Sequence, residues 1–207
     1  MRKLLFSALA LSGLFLASCN SDKCKDKNCG NGTCNVLTGA CDCSTGYEAD
    51  VNGLCNLESR TNFVGSSGSQ VWTAKDTVVS GDLFSTTPAN NYFGYSPSIN
   101  KGTNISQVTV QNLGYYDYKV NGVTTNYNVN ATVSGSTITI DNTQTIGTTA
   151  TGTYKFSGTG KLVNVGTTAA PSYKIFWNYT CAFTPAPTTA VPNPAVKTTT
   201  FKATWNR

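Results

Sequence analysis

The sequence predicts a mainly β protein. A small disulfide-rich module is followed by an antiparallel β-barrel or sandwich of about eight strands, with almost no helix outside the first eighteen residues. Three observations predict it. Six of the eight cysteines fall between Cys24 and Cys55. From residue 70 onward, short apolar runs alternate with Thr, Asn, Ser and Lys, the pattern of half-buried strands. No stretch keeps an apolar residue at the 3.6-residue helical period over three turns.

The start of the chain is set aside from the fold. Arg2 and Lys3 precede an apolar or small run from Leu4 to Ala17. That run is too short to cross a bilayer, which takes about 20 apolar residues. It has the length of a cleaved secretory segment. Leu16-Ala17-Ser18-Cys19 closes it and resembles the lipobox of bacterial lipoproteins. The resemblance implies removal of residues 1–18, with lipid on the sulfur and amine of Cys19. Residues 19–23 are then a lipidated tether. The expected address is the bacterial outer membrane, with exposure at the cell surface left open; Asn20 after the cysteine favours the outer membrane.

The next six cysteines read Cys24-x4-Cys29-x4-Cys34-x6-Cys41-x-Cys43-x11-Cys55. Spacing alone leaves 15 pairings for six cysteines. A segment below about 40 residues cannot hold itself by core burial and needs staples. Zinc is the rival, but the chain has no histidine and carries an export signal, which favours an oxidising compartment. Cys29-Gly30-Asn31-Gly32-Thr33-Cys34 and Cys41-Asp42-Cys43-Ser44-Thr45-Gly46-Tyr47, followed by Cys55, resemble the two halves of an EGF-like module over residues 24–55. The resemblance implies bridges Cys24–Cys34, Cys29–Cys41 and Cys43–Cys55. Calcium-binding members of that family carry a Glu or Gln ligand just before the first cysteine. Here Lys23 stands there, with Lys25 and Lys27 close by, so no calcium and no other metal is expected.

Residues 56–69 read as a linker, flexible by composition at Gly65-Ser66-Ser67-Gly68-Ser69. Residues 70–207 form the β-domain. Weak strand patterns cover Val71 to Val79 and Tyr115 to Val120. Val108 and Val110 mark another strand. Val129, Ala131 and Val133 run through Ser134-Gly135 to Ile138 and Ile140, a tight hairpin. Tyr154 to Val163 is one strand, expected to bend or bulge at Gly158 and Gly160. Tyr173, Ile175, Trp177, Tyr179, Cys181 and Phe183 alternate along a long strand, with Phe176 the apolar exception on its outer face. The proline-rich stretch from Ala182 to Val196 is a loop, and Phe201, Ala203 and Trp205 form the last strand. In texture this part resembles the lipocalin-like or calycin-like domains of Bacteroidetes lipoproteins. Many of those begin with Phe-x-Gly-x-Trp. Phe63-Val64-Gly65 fits, but Trp72 follows the glycine by seven residues instead of two.

Absences settle most of the chemistry. Without histidine there is no Ser-His-Asp or Cys-His arrangement and no histidine-held catalytic metal. The β-domain has four carboxylates, Asp76, Asp82, Asp117 and Asp141. Asp76 and Asp82 flank a strand and Asp141 ends a hairpin arm, positions that favour turn and cap roles. No enzymatic activity and no cofactor are expected. Cys181 lies in phase with the core face and reads as a buried, unpaired thiol.

The charge is split. Residues 20–58 carry three lysines against six acids, a net −3, and residues 59–207 carry ten basic side chains against four acids, a net +6. The lysines are spaced singly, as on a solvated surface, so nucleic acid is not an expected partner. An anionic glycan or lipid fits better. Tyr115, Tyr116 and Tyr118 form one aromatic cluster, and Tyr92 and Tyr95 a second; these five are the candidate ligand contacts. Two functions fit. One is a membrane-anchored surface binding or adhesion protein with the EGF-like module as stalk, meeting a glycan or another cell-surface macromolecule. The alternative is a calycin-like carrier of a small apolar ligand. Inward-facing Trp177, Tyr179 and Phe201, if large enough to fill the barrel, favour the first.

Overall fold

In the computed structural model, residues 23–81, 93–114 and 127–207 are described. Cys19, Asp82, Tyr92, Asp117, the Tyr115, Tyr116 and Tyr118 cluster and the Tyr115–Val120 strand pattern lie outside the described residues. The first element is a two-stranded sheet, β1 (Gly32–Cys34) with β2 (Cys41–Cys43), followed by a second pair, β3 (Tyr47–Glu48) with β4 (Leu57–Glu58). Three disulfides staple them: Cys24–Cys34, Cys29–Cys41 and Cys43–Cys55, the pairing the EGF-like resemblance implies. They close separations of 10, 12 and 12 residues, loops for which a bridge stabilises by about 3 kcal/mol.

The stretch 56–69 differs from the flexible linker its composition suggests. It contains β4 and a short helix, α1 (Thr61–Val64), whose Phe63 and Val64 are fully buried in the core. Composition misled because Gly65 and Gly68 serve turns of positive φ, not mobility.

The β-domain is built from β5 (Ser69–Val71), β6 (Thr73–Gly81), β7 (Phe93–Tyr95), β8 (Ser98–Lys101), β9 (Gln107–Gln111), β10 (Val129–Ser134), β11 (Thr137–Ile140), β12 (Ile146–Thr148), β13 (Gly152–Asn164), β14 (Tyr173–Thr184) and β15 (Lys197–Asn206). All belong to one curled antiparallel sheet, ordered β5-β8-β9-β10-β11-β13-β14-β15-β6-β7, with β12 beside β13. The curl closes. Only Trp72 separates β5 from β6, and only Ser96 and Pro97 separate β7 from β8. Val71 opposite Ser98 and Ala74 opposite Tyr95 keep one register across both gaps, and the Trp72 N–H donates to the Pro97 carbonyl at 2.8 Å between them. Pro97 has no N–H to return that bond, which is why the ladder is interrupted there. The two ends of the path are therefore halves of the same two chain segments. Eight successive segments pair with their neighbours, and the last, β15, pairs with β6 of the first.

Alternation places the core. Trp72, Ala74, Asp76 and Val78 point inward, as do Tyr95 and Ile99, then Val129, Ala131 and Val133, and Ile175, Trp177, Tyr179 and Cys181. The expected β10–β11 hairpin is present, with Ser134 opposite Thr137 across its tight turn. Of the bend or bulge expected at Gly158 and Gly160, no bulge forms: β13 and β14 pair in unbroken register from Thr153–Thr184 to Asn164–Tyr173. Gly160 instead makes room. A Cβ there would lie 2.8 Å from Ile138, Ile175 and Trp177, so the glycine seats the indole. A register shift occurs elsewhere, between Thr200 and Phe201 on β15 against β6. β14 runs on to Thr184, so the proline-rich loop starts after it and not at Ala182.

The disulfide-rich module is held against the barrel by a buried arginine. Arg60 is 7% exposed. Its Nη1 donates to the carbonyls of Gly102, Asn104 and Gln107 at 2.9, 2.6 and 2.9 Å, and its Nε to Glu58 Oε2 at 3.0 Å. Lys101 reaches the same Glu58 oxygen at 3.1 Å. Gly46 lies against Ile105, where a Cβ would sit 2.6 Å from Cγ2.

Candidate binding face

The interior of the barrel is filled by large side chains. Trp72, Trp177, Trp205, Tyr127, Tyr179, Phe201 and Ile99 are all fully buried. Trp177 and Trp205 rings lie 5.1 Å apart, and Tyr179 stacks on Phe201 at 4.8 Å. Such contacts add about 0.5–1.5 kcal/mol each beyond burial. Small barrels of about eight strands have room for packed side chains or one small ligand.

Asp76 corrects a sequence expectation. It does not cap a turn: it is mid-strand in β6, fully buried, and its Oδ2 accepts from the hydroxyls of Tyr95 (2.9 Å) and Tyr179. The signal was present, since Asp76 is in phase with Trp72, Ala74 and Val78. Tyr95, expected as a ligand contact, is 8% exposed; its hydroxyl also accepts the Gly114 N–H at 3.1 Å, and its ring meets Trp205 edge-on at 6.2 Å. The structure therefore places Tyr95 in the core. Asp141 does take a turn role, accepting from the Thr143 N–H and hydroxyl at 3.0 and 2.7 Å, which holds its carboxyl below the usual range. Cys181 is buried and unpaired, and burial pushes its thiol up to about 12.

The variation from core logic lies outside. On the outer face of β14, Phe176 is 46% exposed. Sheet register surrounds it with cations. Phe176 stands opposite Lys161 on β13 and Thr204 on β15, and Thr204 stands opposite Lys75 on β6. One row over, Lys202 lies between Asn178 and Thr77. Lys174 is two residues along β14 on the same face. Lys75, Thr77, Phe176, Asn178, Lys202 and Thr204, together with Trp177 and Ala203, line a groove of about 330 Å3. The outward positions from Thr159 to Val163, Lys174 to Thr180, Lys202 to Asn206 and Thr73 to Thr77 include four lysines and no carboxylate.

The lysines that are single in sequence are thus gathered by strand pairing, which corrects the expectation of a dispersed surface. No motif could announce this, because Lys75, Lys161, Lys174 and Lys202 come from four strands. The one local signal was Phe176, an aromatic out of phase with its strand. Chemically the face offers an apolar ring for stacking, an amide and hydroxyls for hydrogen bonds, and ammonium groups for anions. Among the described residues, no group of His, Cys, Asp or Glu is placed to hold a metal. Glu58 and Arg60, away from this face, belong to the module junction. Compared with protein-family models, curated proteins and solved structures, the chain matches none.

Proposed function

We propose that this chain is a lipid-anchored extracytoplasmic binding protein whose β-barrel meets an anionic glycan on its outer face. The observation that carries the proposal is the exposed Phe176 ring set among Lys75, Lys161, Lys174 and Lys202, with no carboxylate on the same face among the described residues. Sugar rings stack on aromatic faces, while carboxylate or sulfate groups pair with ammonium. The signal-like first eighteen residues and Cys19 support the anchor, and the EGF-like module supports the role of spacer. The test is calorimetric titration of the Cys19→Ala chain with a uronic-acid oligosaccharide. Binding that weakens with salt, and about tenfold further in Phe176→Ala, is expected, since truncating an interface aromatic commonly removes more than 1 kcal/mol. Titration without heat, or indifference to Phe176→Ala, overturns the proposal.

The carrier alternative keeps one observation. The indole N–H groups of Trp177 and Trp205 are buried with no acceptor among the described residues. A small internal ligand bearing an acceptor would satisfy them. Native mass spectrometry separates the two: a reproducible small-molecule adduct supports the carrier.

A further inference from the structure

The EGF-like module carries an exposed apolar tip that neither its fold nor the barrel uses. Val36 and Leu37 are 69% and 81% exposed at the turn joining β1 to β2. The turn itself is well made: Asn35 Oδ1 accepts from the Leu37 and Thr38 N–H groups at 3.1 and 3.2 Å, and the Gly39 N–H donates to the Asn35 carbonyl at 2.7 Å. The two apolar side chains are therefore presented by an ordered turn. Lysines frame it. Lys23 Nζ donates to the Leu37 carbonyl at 2.9 Å, Lys27 Nζ donates to the Gly39 carbonyl, and exposed Lys25 lies between them in sequence. Among the described residues the acids of this end are Asp26, in the same turn as the lysines, and Asp42, whose Oδ2 accepts from Asn35 Nδ2 at 3.1 Å; Asp22 precedes Lys23 in the sequence.

We infer that Val36 and Leu37, with Lys23, Lys25 and Lys27, form a membrane-contact surface that seats the module on an anionic bilayer. The inference extends the anchored reading above, and tether length argues for this occupant. Cys19 is four residues before Lys23. Even fully extended, four residues span at most about 14 Å. With lipid on Cys19, Lys23 and the Leu37 carbonyl it touches stay close to the headgroups, whose layer is about 5–8 Å deep on each side. Apolar tips ringed by ammonium groups suit that layer, where aliphatic side chains reach the acyl boundary and lysines meet phosphates. The opposite end of the β1–β2 pair leads through Ser44 to Gly46, which packs on the barrel at Ile105, so the module is held between membrane and barrel by its two ends.

The experiment uses the Cys19→Ala chain and sedimentation with phosphatidylglycerol-containing vesicles. Binding is expected without lipid on the chain. It should fall about tenfold in Leu37→Asp, roughly two- to fivefold for each of Lys23→Gln and Lys25→Gln, and weaken in high salt. No binding of Cys19→Ala to these vesicles overturns the inference. So does binding that ignores Leu37→Asp and is lost in Lys75→Gln/Lys202→Gln, which assigns it to the barrel face. Metabolic labelling of the unsubstituted chain with an alkyne fatty acid reads lipidation of Cys19 separately, so failure of the anchor and failure of the tip are distinguishable.

Discussion

Replacing Arg60 by Ala tests whether the module and the barrel are one mechanical unit. The side chain is almost fully buried and makes four hydrogen bonds, two to carbonyls of the loop that joins β8 to β9, one to the carbonyl of Gln107 at the start of β9 and one to Glu58. Of those carbonyls, Gln107 keeps another donor, the Gly102 N–H at 2.9 Å, and Asn104 keeps the Gln107 N–H at 2.9 Å. Truncation therefore leaves the Gly102 carbonyl short of its partner and Glu58 with Lys101 alone. Glu58 is 27% exposed and keeps Lys101, so the main cost is the orphaned buried carbonyl, about 1–3 kcal/mol. Arg60→Lys should recover part of that, because an ammonium supplies charge but not the planar fork. Urea denaturation read by the three barrel tryptophans gives the stability. Limited proteolysis between residues 56 and 69 gives the order of the junction. A loss under about 1 kcal/mol, the range of an exposed ion pair, together with an uncut junction, would refute the argument that Arg60 is the latch.

Other consequences follow from single contacts. Gly160→Val should destabilise by about 1–3 kcal/mol in the same denaturation assay, because its side chain enters the space of Ile138, Ile175 and Trp177; a neutral effect would mean that the indole seat is loose. For Glu58, burial raises the carboxyl but the bonds from Arg60 and Lys101 outweigh it, leaving the folded value below 4.5. A lowered folded value means that this stability is present above pH 4.5 and is lost as pH falls through the folded value, so acid should open the junction to protease before the barrel unfolds. For Cys181 the sign is reversed. The folded thiol is held up to about 12 against 9.0 unfolded, so the unfolded chain loses its proton first, and stability should decline as pH rises above 9.0. In the Cys19→Ala chain, a thiol reagent near neutral pH should label Cys181 only in denaturant; rapid labelling of the native protein would contradict its burial.

Much of the fold was legible because periodicity is local. The Val129–Ile140 hairpin and the long Tyr173–Phe183 alternation each declare their inward residues in sequence, and six crowded cysteines declare a stapled module. The Phe-x-Gly-x-Trp departure was legible only as a mismatch. In the structure Trp72 still returns to Phe63, its indole N–H donating to the Phe63 carbonyl at 3.2 Å, with the extra residues spent on the turn at Gly65 and Gly68 and on β5. What sequence could not show depends on non-local pairing. The cation-framed Phe176 requires the relative register of β13, β14, β15 and β6. Arg60 looks like any linker arginine until the loop from Gly102 to Gln107 closes over it. Asp76 departs for another reason: aspartate favours turns, but the strand phase it shares with Trp72, Ala74 and Val78 puts it in the core.

The central claim is that binding occurs on the outer face and not inside the barrel. Amide and indole chemical-shift mapping during titration of the Cys19→Ala chain with the uronic-acid oligosaccharide tests it most directly. Shifts are expected at Lys75, Thr77, Phe176, Asn178, Lys202 and Thr204, with the indole signals of Trp72, Trp177 and Trp205 unmoved. Movement of the Trp177 and Trp205 indoles with the outer face silent would contradict it and place the ligand inside the barrel.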